Sequence, residues 1–176
     1  MKFIHILFLF SFIQTLHGQD FCKQIKKDVS DDKTVYDYSS PFDVMNPPPV
    51  RVTRSYSNSK EFSFDNFTLI FQIPCELDSI YNKVDGAQVE KEEYRLIVEF
   101  EDKSKITDDT LKIIHDFTED RSQALRVLYY PLTERTLRDF TTKKIAKFSL
   151  AGHEMTVSPD VANAAMQYII CIKAAK

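Results

Sequence analysis

Glycine and histidine are scarce in this chain of 176 residues, which holds three glycines, four histidines and no tryptophan. Gly18, His5 and His17 lie in the first 18 residues, which leaves only Gly86, Gly152, His115 and His153 beyond them. A Gly-rich phosphate loop, a dinucleotide-binding fingerprint and a Gly-x-Ser-x-Gly elbow each need close backbone approach or positive φ at several positions. The chain has too little glycine for any of them. Two histidines with no neighbouring cysteine pair do not give the spacing of a zinc site. No metal or other cofactor is implied. Past the N-terminus no apolar run reaches the length of a spanning helix. No dense Lys/Arg cluster marks a nucleic-acid or anionic-membrane surface.

What is present begins with an export signal. Met1-Lys2 is a short positive region, Phe3 to Leu16 is mostly apolar, and Gly18 supplies a small residue before a cut at Gln19. Residues 1–18 are therefore read as a signal peptide, 19–49 as an N-terminal arm with a Pro-rich connector, and 50–176 as one β-rich domain. Loss of Lys2 takes the 23 basic residues to 22 against 26 acidic, so the mature chain carries a weak net charge of -4. Secretion or delivery to a periplasm puts the three cysteines in an oxidising compartment.

The clearest structural signal is Tyr94–Glu101. Tyr94, Leu96, Val98 and Phe100 share one face, and Arg95, Glu99 and Glu101 the other, with Ile97 the apolar exception. That alternation predicts a strand with one buried and one wet face. Similar patterns predict strands at 34–38, 50–57, 61–73, 111–117 and 124–132. A parity slip at Asp65-Asn66 predicts a bulge or break, and Pro74 is expected to end its strand. Glu101–Asp109 reads as a charged turn. Thr133 caps a short helix over 134–140. Residues 144–150 and 155–157 form a hairpin around 151–154, and Ser158-Pro159 opens a helix to about Lys173. The fold class is α+β: an antiparallel sheet, two-layer and sandwich-like, with one short helix and a packed C-terminal helix.

Few groups are placed for chemistry. His115 and Asp116 are strand neighbours and point to opposite faces, so they do not form a base and its orienting partner. His115 falls on the apolar parity of Leu111, Ile113 and Phe117, which suits a hydrogen-bonded core or rim residue. His153 falls in the expected turn. Tyr129 and Tyr130 also point to opposite faces, so one of them reaches the outer sheet surface. With outward-facing Ile70 and Ile97 it makes a candidate binding patch.

The order of these elements, with an N-terminal Cys, a strand ending Tyr130-Pro131-Leu132-Thr133, a Lys143-Lys144-Ile145 strand and a helix ending Cys171-Ile172-Lys173, resembles a loose group of uncharacterised small exported bacterial proteins. The resemblance implies export across a bacterial inner membrane and no particular activity. The expected function is a non-catalytic binding or interaction module acting through a sheet face or edge strand. Its partner is a protein or a small ligand; no nucleic acid and no membrane span are expected. The alternatives are a hydrolase with spatially assembled carboxylates and His115, and a periplasmic inhibitor or immunity-type protein with one protein target.

In the C-terminal helix Cys171 falls at the border between wet and apolar stripes, and Ile170 on the wet side. An arm crossing this helix would shield Ile170 and bring Cys22 to Cys171, leaving Cys75 as a free thiol. The rival pairing is Cys75 with Cys171.

Overall fold

The computed structural model describes residues 21–31, 34–41, 48–61, 63–75, 95–117 and 124–175. The expected signal segment, Tyr94 and the polar stretch 76–93 lie outside them. After a helical stretch at 21–23, ten strands are described. They are β1 (Lys26–Val29), β2 (Val35–Ser39), β3 (Val50–Asn58), β4 (Ser63–Cys75), β5 (Leu96–Phe100), β6 (Lys105–Asp108), β7 (Ile114–Phe117), β8 (Ala124–Pro131), β9 (Ile145–Leu150) and β10 (His153–Thr156). Two helices accompany them, α1 (Glu134–Thr142) and α2 (Pro159–Ala174). The strands form two antiparallel sheets, a six-stranded one in the order β1-β2-β3-β4-β8-β7 and a four-stranded one in the order β10-β9-β5-β6. The α+β sandwich-like class expected from the alternation is what the chain adopts. The N-terminal segment contributes two strands to the larger sheet where one was expected, so it belongs to the same layer as β3.

One core joins the layers. Leu69 and Phe71 of β4 and Leu128 and Tyr130 of β8 face Leu96, Val98 and Phe100 of β5 and Phe148 of β9. The rings of Phe71 and Phe148 lie 5.0 Å apart across the two sheets. Ala162, Ala165, Ile169 and Ile172 of α2 close the same core. Their spacing of three and four residues is the helix-face period. Because so many of these residues are small or at the stripe's border, a wheel drawn from the sequence places the apolar edge poorly.

Four expectations need correction. The β3–β4 register runs unbroken from Val50↔Phe71 to Asn58↔Ser63, so there is no bulge at Asp65-Asn66. Phe64 lies on the outer parity instead, and the register shift falls between Glu99 and Phe100, where β5 meets β9. Pro74 does not end β4, which runs on to pair Cys75 with Ala124. The amide of Gln72 points to Pro49 on the β3 side. The nitrogen of Pro74, two residues on, points the same way, beyond the Val50↔Phe71 end of the β3–β4 ladder, so proline there takes no bond from that ladder. The charged stretch 101–109 contains β6, joined to β5 by a turn whose Lys103 takes the left-handed conformation at φ 68°. Finally, Ala151 (φ 50°) and Gly152 (φ 80°) make a two-residue hairpin turn, which puts His153 at the start of β10, opposite Leu150.

A buried arginine ties α2 to the larger sheet. Arg54 sits on the inner face of β3 and donates from Nε and Nη2 to the two carboxylate oxygens of Asp65, at 2.7 and 2.9 Å. Its Nη1 donates to the carbonyls of Ile172 (2.9 Å) and Ala175 (2.7 Å) at the end of α2. Both carbonyls lie at the end of α2, where a helix leaves backbone acceptors short of partners, and a cation there suits the helix dipole. The guanidinium lies 4.8 Å from the Phe67 ring centre and 5.0 Å from that of Tyr56. In the same last turn of α2, Cys171 is bonded to Cys22 with the Cα atoms 5.2 Å apart. Cys75 is not disulfide-bonded and is half-buried. The arm reaches α2 through Phe21, edge-on to Tyr168, and Gln24, which accepts from the Tyr168 hydroxyl at 2.6 Å. It docks on the Tyr168 side of the helix, so Ile170 stays 40% exposed and is not shielded as expected.

Candidate functional site

The residues expected to form a binding patch are separated by the fold. Ile70 pairs with Tyr129 across β4 and β8, on the outer face of the larger sheet. Tyr129 is 49% exposed, whereas Ile70 is buried with Leu125 and Val127 in a small second cluster. Tyr130 points the other way, into the main core. Ile97 belongs to the smaller sheet, beside Thr107 and Ser149, and is half-buried. Ile70 and Ile97 therefore share no surface. His115 lies in β7 opposite Arg126, at the edge of the larger sheet. Its side chain is outside what the structure describes.

A groove forms elsewhere, where α1 runs beside β6. Thr133 opens α1 with a reciprocal cap: its hydroxyl accepts from the Thr136 amide at 3.2 Å, and the Thr136 hydroxyl accepts from the Thr133 amide at 2.9 Å. Phe140 anchors the helix in the core, 5.3 Å from Phe100 and 6.2 Å from Tyr130 between ring centres. With Leu137 and Phe140 turned inward, Arg135 and Arg138, three residues apart, stand on the exposed side. The groove between this helix and the β5–β6 hairpin has a volume of about 690 Å³.

Lys143 closes one end. Its ammonium lies 3.2 Å from Asp139, 3.5 Å from Asp102 and 3.0 Å from the Ser104 hydroxyl, and 5.5 Å from the Phe100 ring centre. The hydrogen bond to Asp139 is the main reason its pKa stands above the ordinary lysine value. The Ser104 hydroxyl, and then its amide, hold the Asp102 carboxyl below its usual range. On the outer face of the hairpin Lys105 pairs with Glu99 at 3.1 Å, and that hydrogen bond lowers the Glu99 pKa. Burial pushes the Tyr130 phenol up; Thr136 opposes the shift by hydrogen bonding, and Asp108 and Asp139 add to it. Two cations of the groove are thus neutralised internally. Arg135 and Arg138 have no ion-pair partner among the described residues.

The hairpin adds a second kind of open group. The Phe100 amide donates to the Ser104 carbonyl, so Ser104, Ile106 and Asp108 turn their backbone groups toward β5. Antiparallel alternation then turns the amides and carbonyls of Lys105 and Thr107 to the free edge of the sheet. Chemically the groove holds four cations, Lys105, Arg135, Arg138 and Lys143, against two carboxylates, Glu134 and Asp139, beside open backbone donors and acceptors. No group of three or more His, Cys, Asp or Glu side chains among the described residues is placed to hold a metal ion. No described helix is long and apolar enough to cross a membrane.

Neither β6 nor the arginine pair was anticipated from sequence. Their traces are Ile106 alternating within Lys105–Asp108, and the three-residue spacing of Arg135 and Arg138 opposite Leu137 and Phe140. Compared with protein-family models, with curated proteins and with solved structures, the chain matches none.

Proposed function

We propose that the protein is an exported, non-catalytic binding module that takes up its partner along the free edge of β6, beside the groove under α1. The observation that carries this reading is the pairing of open backbone groups at Lys105 and Thr107 with a groove of peptide-sized volume along the same edge. An extended chain added there gains main-chain hydrogen bonds from the edge and side-chain contacts from the groove. The disulfide between Cys22 and Cys171 suits an oxidising compartment outside the cytoplasm. A dedicated inhibitor of one protein target would use the same chemistry. A hydrolase built on His115 has less support, since His115 lies on β7 in the other sheet and does not line the groove.

The test is selection of binders from a displayed library of random peptides, repeated on Thr107→Pro. The Thr107 amide faces away from β5, so proline there removes an edge donor without removing a ladder bond. The expected result is a set of peptides that bind the wild type and lose affinity for the folded variant. Peptides that bind both alike, or a library that enriches nothing, would overturn the reading.

A further inference from the structure

Resting on that reading, we infer that the partner segment is acidic: an extended stretch of another protein that pairs along β6 and sets carboxylates from alternate residues on Arg135 and Arg138. The charge balance of the groove points to this. Lys105 is matched by Glu99, and Lys143 by Asp102 and Asp139, all at ion-pair distance. Arg135 and Arg138 are left over; with Glu134 counted, the groove's lining still carries four cations against two carboxylates, on a protein whose net charge is -3. A cationic spot on an acidic protein steers an oppositely charged segment to one place and repels it elsewhere.

The spacing fits as well. Side chains three residues apart on a helix stand about 5–6 Å apart at Cβ. Alternate residues of a strand point the same way and lie roughly 6.6 Å apart. Two carboxylates at alternate positions therefore match two guanidinium groups, each of which can donate two parallel hydrogen bonds to one carboxylate. A small free anion would use the arginines but gain nothing from the amides of Lys105 and Thr107. An extended acidic peptide uses both.

The experiment measures binding of a short, end-capped, dye-labelled peptide alternating glutamate with valine, against versions carrying glutamine or lysine instead. The glutamate peptide is expected to bind, to weaken as salt is raised, and to slow hydrogen exchange at the amides of Lys105 and Thr107. The glutamine peptide should bind roughly tenfold more weakly and the lysine peptide more weakly still. Replacing both arginines (R135Q with R138Q) should lower affinity for the glutamate peptide roughly tenfold and leave the glutamine peptide unchanged. Both side chains are exposed and have no ion-pair partner among the described residues, so the double variant keeps its fold.

Equal binding of glutamate and glutamine peptides, with protection at β6, would overturn the acidic assignment and leave the edge reading intact. No binding and no protection with any peptide would overturn both. Uptake of an acidic polysaccharide or anionic vesicles without protection of the β6 amides would sink the proposal. So would a dimer of the protein itself that is lost in Thr107→Pro and excludes the peptides.

Discussion

Replacing Arg54 with methionine isolates what its charge contributes, because methionine keeps an apolar stem between the rings of Tyr56 and Phe67. Removing one partner of a buried ion pair costs about 3–5 kcal/mol, since the other charge is stranded. Here the Arg54 side chain is 9% exposed but that of Asp65 is 45% exposed, so the carboxylate can regain water and the lower end applies. At the helix end the Ile172 carbonyl keeps the Ala175 amide at 3.2 Å, while the Ala175 carbonyl loses its 2.7 Å donor. Together these give a loss of about 3 kcal/mol. For a domain of this size the melting temperature should fall by about 6–12 °C. Urea unfolding followed by far-ultraviolet circular dichroism and tyrosine fluorescence measures the free-energy loss, the absence of tryptophan leaving the tyrosine signal unobscured, and thermal unfolding followed the same way measures the melting temperature. Asp65→Asn should cost only about 1 kcal/mol, because it leaves a half-exposed neutral amide beside the guanidinium. A loss under about 1 kcal/mol for Arg54→Met, or an equal loss for Asp65→Asn, would refute the view that Arg54 fastens α2 to the sheet.

Two further predictions concern the covalent link and alkaline pH. The Cys22–Cys171 bond closes a separation of 149 residues. Converting both cysteines to serine should therefore destabilise the chain by about 2–4 kcal/mol, and non-reducing peptide mapping of the wild type should yield the 22–171 crosslink rather than 75–171. Tyr130 has its folded pKa raised, first by burial, so above the ordinary tyrosine value of about 10 the unfolded chain loses its proton before the folded one does. Stability should fall as pH rises through that value. Tyr130→Phe, compared with wild type in urea titrations at neutral and alkaline pH, should show a shallower fall; an identical slope would contradict the assignment.

Much of the fold was legible because local rules decide it. The alternation at Leu96, Val98 and Phe100 needs only a sheet with one buried face. The caps at Thr133 and Ser158 are set within one helical turn by hydroxyls accepting nearby amides. The Cys22–Cys171 pairing was also reachable, since one thiol at the border of a helix stripe needs a partner from outside it. The route by which the arm arrives was not. Ile170 stays exposed because Phe21 and Gln24 dock on Tyr168, a contact between segments well over a hundred residues apart.

The candidate site was less legible for a physical reason. Whether Ile70 and Ile97 share a surface depends on which strands pair, and that is decided by cross-strand packing rather than by either strand's own pattern. The same holds for β6, whose four residues are strand only because β5 supplies a partner. It holds too for Arg54, whose charge can be buried beside Val50 and Val52 only because Asp65 and the end of α2 enclose it. By itself the sequence determined the period of each element, the faces of most strands and the helix starts, all set by interactions among residues near in the chain. The tertiary structure alone decided which edges stay open and which cations remain unpaired, because both depend on contacts between residues far apart in sequence.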